Sequence, residues 1–256
     1  MKDKVFSFLA ALQFLTTLPV PLWREVQSVD VARSVRYFPV VGVLLGIILL
    51  GLHWLLALWV SPPLVALLLV IALLMLTGAL HFDGFLDSCD GLFGYRSVER
   101  RLEIMRDSRV GSFAVAGGWA LLTLKFVALT QVPPALLPQA LLIAPLLGRW
   151  ALVGAVVIFP YGRESGLGTV YKQYNTGREL ALAVLVVLLL AGLILRIAGI
   201  VLVILALGLT WLIGKWIMRK LPAGLTGDSY GAITELTELF TWLVIGAGAG
   251  VIQSWL

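Results

Sequence analysis

Three aspartates, Asp83, Asp87 and Asp90, stand in the stretch HFDGFLDSCDGLFG (residues 81–94), directly after a long apolar run. Their spacing is i, i+4 and i+7, which puts the side chains on one face of a helix. Carboxylates so placed repel one another. Protonation relieves the repulsion at a large pKa cost, whereas a cation relieves it without one. Oxygen donors favour Mg²⁺, Mn²⁺ or Ca²⁺ over softer metals, and Mg²⁺ is commonly held by one or two carboxylates plus substrate phosphates. The cluster therefore points to phosphate chemistry beside a hydrophobic segment. The plainer alternative is a solvated helix end. Such faces mix in Lys, Glu and Ser, whereas Gly84, Phe85, Leu86, Leu92 and Phe93 surround these aspartates. His81 reads either as a base or ligand, or as a hydrogen-bonded packing residue.

Three further segments carry related chemistry. In RDSRVGSF, Asp107 lies between Arg106 and Arg109. This is either a surface ion pair or part of a site holding metal and phosphate, since arginine grips phosphate bidentately. In YGRESGLG (161–168), a glycine-rich backbone with Arg163 suits a phosphate cradle. In GLTGDSYGAITELTEL (224–239), Asp228, Glu235 and Glu238 fall at i, i+7 and i+10, a second acidic cluster beside Tyr230.

The elements that position these residues follow from composition. Of 256 residues 60% are hydrophobic and 13% charged, with mean hydropathy +1.00, against about half apolar and a quarter charged in soluble domains. Apolar runs of this length cross a hydrocarbon core of ~30 Å as helix. The expected fold is all-α: one membrane-embedded domain over 1–256, a helical bundle of about seven spans. These are 38–59, 63–80, 112–131, 134–158, 180–195, 199–217 and 239–256. Residues 5–20 form an N-terminal interfacial or re-entrant helix. They lack a small-residue cleavage site, so no cleavable signal peptide is expected.

Basic residues fill alternate loops: 1–36, 96–109, 163–178 and 215–220. This bias places the N-terminus and all four polar segments in the cytoplasm. It also accounts for the net charge of +5 without nucleic acid as a partner. Gly42/Gly46 and Gly246/Gly250 read as close helix contacts. Trp23, Trp54, Trp59, Trp119, Trp211, Trp216, Trp242 and Trp255 read as interfacial anchors. The single Cys89 reads as a packing residue, and one cysteine excludes an internal disulfide. Lys125 and Arg149, deep in their spans, read as snorkelling or interhelically paired.

The segments FLAALQFLTTLPVP (8–21), RYFPVVGVLLG, HFDGFLDSCDGLFG, RLEIMRDSRVGSFA, YGRESGLG and GLTGDSYGAITELTEL together resemble the cobalamin synthase family, also called adenosylcobinamide-GDP ribazoletransferase. They occur in the family's order and span nearly the whole chain. One departure is Gly162, where the family usually has Ala after Tyr. The resemblance implies a Mg²⁺-dependent enzyme of the bacterial inner membrane. It would join adenosylcobinamide-GDP to α-ribazole, or α-ribazole 5′-phosphate, and release GMP. Type and spacing then suggest roles. Asp83, Asp87 and Asp90 bind Mg²⁺ and through it the diphosphate, and Asp107 is a further candidate ligand. Arg109, Arg163 and Tyr230 meet phosphate oxygens. Asp228, Glu235 and Glu238 hold a second metal or serve as base, Asp228 being a candidate phosphate contact as well; which acidic residue is the base stays open. Oligomeric state, the number of metals and the corrinoid's entry route stay open. Two rival readings are a CDP-alcohol-type phosphotransferase, whose Ala-Arg is replaced here by Asp87-Ser88, and a transporter, which needs ionisable groups near the bilayer midplane.

Overall fold

In lipid every backbone N–H and C=O must be satisfied within its own segment, which selects helices for apolar stretches. A computed structural model describes residues 2–164, 166–174 and 177–255, and these fold almost entirely as helix. In chain order the helices are α1 (Lys2–Leu15), α2 (Ser28–Ser34), α3 (Phe38–Leu56), α4 (Pro62–Leu76), α5 (Leu80–Leu92), α6 (Val98–Ile104), α7 (Ser112–Gln131), α8 (Leu137–Ile158), α9 (Leu167–Tyr174), α10 (Gly177–Met218), α11 (Gly227–Ala247) and α12 (Ala249–Ser254).

Four stretches are long and apolar enough to cross a membrane: Ser28–Leu56, α7, α8, and Leu180–Met218 within α10. A fifth is the pair α4 and α5, if its 91° bend is crossed as one broken span. The 180–217 region divides as expected. Leu195 (φ −134, ψ 18) and Arg196 (φ 50, ψ −130) are not helical. Gly199 lies so close to the backbone of Ala191 that a Cβ has no room. Eight residues of continuous helix would separate the two by about 12 Å, so the chain turns back on itself here.

Two boundaries differ from expectation. The 63–80 segment stops at Leu76, because Gly78 (φ +58) and Ala79 (φ +56) are left-handed. The Leu76 carbonyl accepts instead from the backbone N–H of Thr17, 2.8 Å away, just past α1. Helix α5 therefore leaves at a right angle to α4. The last long helix begins at Gly227 and not near 239, capped by the Thr226 hydroxyl, which accepts from the backbone N–H of Ser229. Asp228, Glu235 and Glu238 thus belong to one continuous helix.

Helix α8 is the central post, its side chains buried along most of its length. Gly42 and Gly46 of α3 bring that helix onto the backbone of Pro145, Leu146 and Leu142, the contact expected of their spacing. Gly246 has only ordinary contact with Gln131 of α7, and Gly250 faces open space, so the second glycine pair makes no tight helix contact. Trp242 is no interfacial anchor. It is fully buried and its indole N–H donates to the Ala140 carbonyl at 3.1 Å.

Candidate active site

The site rests on the crossing of α5 and α11, which glycine makes possible. A Cβ at Gly84 would meet the Asp228 backbone at 2.9 Å, and one at Gly231 would meet the His81 carbonyl oxygen at 2.7 Å. Backbones this close carry Asp228 to the aspartate face of α5. From the other side, the 160–163 segment pairs with 224–226. Leu225 N–H donates to Pro160 O at 2.9 Å and Gly162 N–H to Leu225 O at 2.8 Å. A Cβ at Gly162 would come within 2.5 Å of the Gly224 carbonyl oxygen, so glycine at this position permits the pairing. The pairing delivers Arg163, whose Nη2 donates to Asp228 Oδ2 at 2.7 Å. The Arg163 Nε is buried without a partner.

Asp90 turns from its two fellows to hold α7. Its Oδ2 accepts from Gly111 N–H at 2.6 Å and its Oδ1 from Ala114 N–H at 2.9 Å, satisfying donors that a helix N-terminus leaves free. A Cβ at Gly111 would clash with that carboxylate. The far end of α5 is held by buried Arg101. Its guanidinium donates to the carbonyls of Gly91, Leu92, Gly94 and Arg96 at 2.7–3.2 Å. Replacing Arg101 by Met strips donors from these carbonyls. We expect a loss of about 3 kcal/mol, the worth of hydrogen bonds to a charged group, read as a lower midpoint of thermal unfolding in detergent.

With both ends of α5 fixed, the 105–110 loop closes over it. Asp83, Asp87, Asp90, Arg106, Asp107 and Arg109 line one polar cavity of about 320 Å³. Asp83 is exposed, Asp87 half-buried and Asp90 buried. Burial, with the carboxylates of Asp228 and Asp83 nearby, pushes the Asp87 carboxyl up to about 7, and Arg163 offsets this in part. No ion pair engages Asp83 or Asp87 among the described residues. Asp107 is paired: Arg109 grips it with Nη2 at 2.7 Å and Nε at 3.0 Å, and holds its carboxyl down to about 2. Among the described residues no three His, Cys, Asp or Glu side chains form a ready-made metal shell.

Three residues expected here have other surroundings. Lys125 of α7 donates to Glu235 at 2.5 Å and to Glu238 at 2.6 Å, and Arg149 of α8 pairs with Glu238. All four are buried, and a Cβ at Gly148 would meet Glu238 Cγ at 2.8 Å. Glu235 and Glu238 lie two to three turns along α11 from Asp228, about 10–15 Å at 1.5 Å per residue, and are neutralised within the bundle. Neither lines the polar cavity as metal ligand or base. Lys125 and Arg149 are interhelically paired and do not snorkel. Tyr230 is also directed elsewhere. It stacks on Tyr161 with centroids 6.2 Å apart and lines a separate aromatic cavity.

Residues 7–246 match the model of the cobalamin-5-phosphate synthase family. The chain belongs to that family. A relative from Roseiflexus sp., an adenosylcobinamide-GDP ribazoletransferase, is 40% identical over 90% of this chain and 85% of its own. Relatives of the same name from Synechococcus elongatus and Stutzerimonas stutzeri are 40% and 43% identical, covering 93% and 91% of this chain and 95% of each relative. No solved structure matches.

In this cobalamin synthase chain, sequence reasoning missed the residues that build the site without facing its cavity. Arg101 reads as one more loop cation that sets orientation, yet it closes α5. Gly111 reads as a loop glycine, yet it seats Asp90. Only the intramembrane charges of Lys125 and Arg149 gave a prior signal, since buried charge demands a partner.

Proposed function

We propose that this chain transfers the cobinamide-bearing phosphate of adenosylcobinamide-GDP to α-ribazole or its 5′-phosphate and releases GMP. The reaction would occur at the cytoplasmic face of the bacterial inner membrane. The observation that carries this reading is the convergence of Asp83, Asp87 and Asp228 with Arg106, Arg109 and Arg163 from four separate segments. The donors suit Mg²⁺: they are oxygen only, and two of them are unneutralised. A set too sparse to cage a metal alone is what Mg²⁺ shared with substrate phosphates requires. Asp83 and Asp87 are the first ligands in this reading, with Asp228 beside them and Asp90 acting mainly through α7. Magnesium, when bound, would neutralise the diphosphate and the charge growing on the departing GMP.

The chain's own groups do the rest. Arg163, fixed by Asp228 and with Nε–H free, meets a phosphate oxygen. Arg109 is exposed and exchanges Asp107 for phosphate. Asp83 accepts the proton of the attacking ribose hydroxyl. One P–O bond forms to that oxygen, and the bond from the same phosphorus to the GMP oxygen breaks. Positioning and charge neutralisation supply most of the catalysis in such transfers. In topology the spans are α3, α4, α7, α8, the two limbs of α10 and α11, with the N-terminus in the cytoplasm.

The test is purified protein in liposomes with adenosylcobinamide-GDP, α-ribazole and titrated Mg²⁺. GMP should appear only with both substrates and the metal. GMP release without α-ribazole, or none under any condition, would refute the assignment.

A further inference from the structure

At 3.6 residues per turn, Phe85, Ser88, Cys89 and Leu92 fall on the face of α5 opposite Asp83, Asp87 and Asp90. That face lines a cavity of about 530 Å³. Its other walls come from residues 117–124 of α7, 212–217 of α10 and 232–239 of α11. These stretches lie near the start of α7 and α11 and the end of α10, at the end of the bundle that carries the candidate site. No lining side chain is charged. Buried water needs several polar partners, so the space suits hydrocarbon. Leu124 of α7 and Leu212 and Trp216 of α10 are 37–60% exposed while lining it. The cavity therefore opens at the surface of the bundle where these two membrane-crossing stretches face each other.

Cations stand at its rim. The Lys220 ammonium lies 5.3 Å from the ring centroid of Trp216, and the Lys215 ammonium lies 5.8 Å from that of Trp211, the neighbour of Leu212. No ion pair engages either lysine among the described residues. Lysines beside a bilayer attract anionic lipid headgroups. We propose that this cavity binds an acyl chain of an anionic glycerophospholipid, with the lipid phosphate held by Lys215 and Lys220. An isologous contact with a second copy would bring the same basic patch to the interface twice, whereas an anionic lipid neutralises it. The seated chain packs against the back of the helix that carries Asp83 and Asp87. The inference concerns binding alone and does not depend on the transferase reading.

Native mass spectrometry of the full chain, released from detergent micelles, tests this with phosphatidylglycerol and phosphatidylcholine of the same acyl chains. One phosphatidylglycerol should be retained, bound about 10-fold more tightly than phosphatidylcholine, the scale on which a pair of surface lysines holds an anionic headgroup. Lys215→Gln/Lys220→Gln should erase that preference, and Lys215→Arg/Lys220→Arg, which keeps both charges, should restore it. Ala120→Phe fills the cavity from α7 and should abolish retention of either lipid. Leu212→Trp narrows the mouth from an exposed position and should do the same should Ala120→Phe not fold, as judged by its size-exclusion profile. Equal retention of the two lipids by the wild-type chain overturns the proposal. So does a lipid adduct that survives in a folded cavity-blocking variant. A dimer of the wild-type chain that these variants dissolve would assign the cavity to a second copy and overturn it as well.

Discussion

Changing Asp83 or Asp87 to Asn lowers GMP release by at least about 100-fold, the scale on which one preorganised charged contact to a transition state acts. It also raises the Mg²⁺ concentration for half-maximal rate. Asn keeps the shape and drops the charge, so the loss reads the carboxylate alone. The structure separates these two positions from Asp90. Neither the Asp83 nor the Asp87 carboxylate accepts from a free N–H at a helix start, as Asp90 does, so their variants should fold. Asp87→Asn should even unfold at a higher temperature than wild type in metal-free buffer, because it removes a charge that burial, Asp228 and Asp83 all oppose. The sign follows from the displaced titration. A carboxyl raised from 3.8 to about 7 costs nothing below the lower value, costs progressively more as pH rises, and reaches its full cost above about 7. The stability gain of Asp87→Asn should therefore vanish in acid. Asp90→Asn should lower both turnover and stability, since it replaces an ionic acceptor for Gly111 and Ala114 N–H. Full activity in any two of the three variants removes the metal proposal.

What the sequence made legible was local. Three aspartates at i, i+4 and i+7 share a face whatever the rest of the chain does. Gly42/Gly46 made a tight helix contact because spacing alone puts both glycines on one side of α3. The reversal near Arg196 followed from counting basic loops. What stayed hidden depends on distant partners. The 91° turn between α4 and α5 needs a left-handed Ala79, and alanine gives no such signal. Asp90 looked like its neighbours because the helix end it caps begins 21 residues later. Glu235 and Glu238 looked like ligands because their cations lie 110 and 89 residues away, on α7 and α8. Periodicity shows which face a carboxylate is on, and only packing shows which charge it meets.

That last distinction can be put to the test on Lys125. Lys125→Met leaves Glu235 without its ammonium and Glu238 with Arg149 alone, both in the bundle interior. Breaking a buried ion pair on one side costs about 3–5 kcal/mol, enough to exhaust the stability of many domains. Lys125→Met should therefore be recovered poorly in folded form from detergent extracts, as judged by size-exclusion profile and thermal midpoint. The double variant Lys125→Met/Glu235→Gln removes one charge of each sign and keeps the Arg149–Glu238 pair. Replacing a buried pair by neutral groups of similar volume is often neutral or stabilising, so folding should return. Its turnover then decides what Glu235 does. If the four-residue network only sets the depth and rotation of α11, and through them the place of Asp228, the refolded double variant should release GMP at a rate within about 10-fold of wild type. If Glu235 is the base, the protein should fold and stay inactive, and no neutral partner at 125 would rescue it. The geometry favours the first result: Glu235 is held by Lys125 inside the membrane domain, about 10 Å along α11 from Asp228, and lines neither the polar cavity nor the aromatic one.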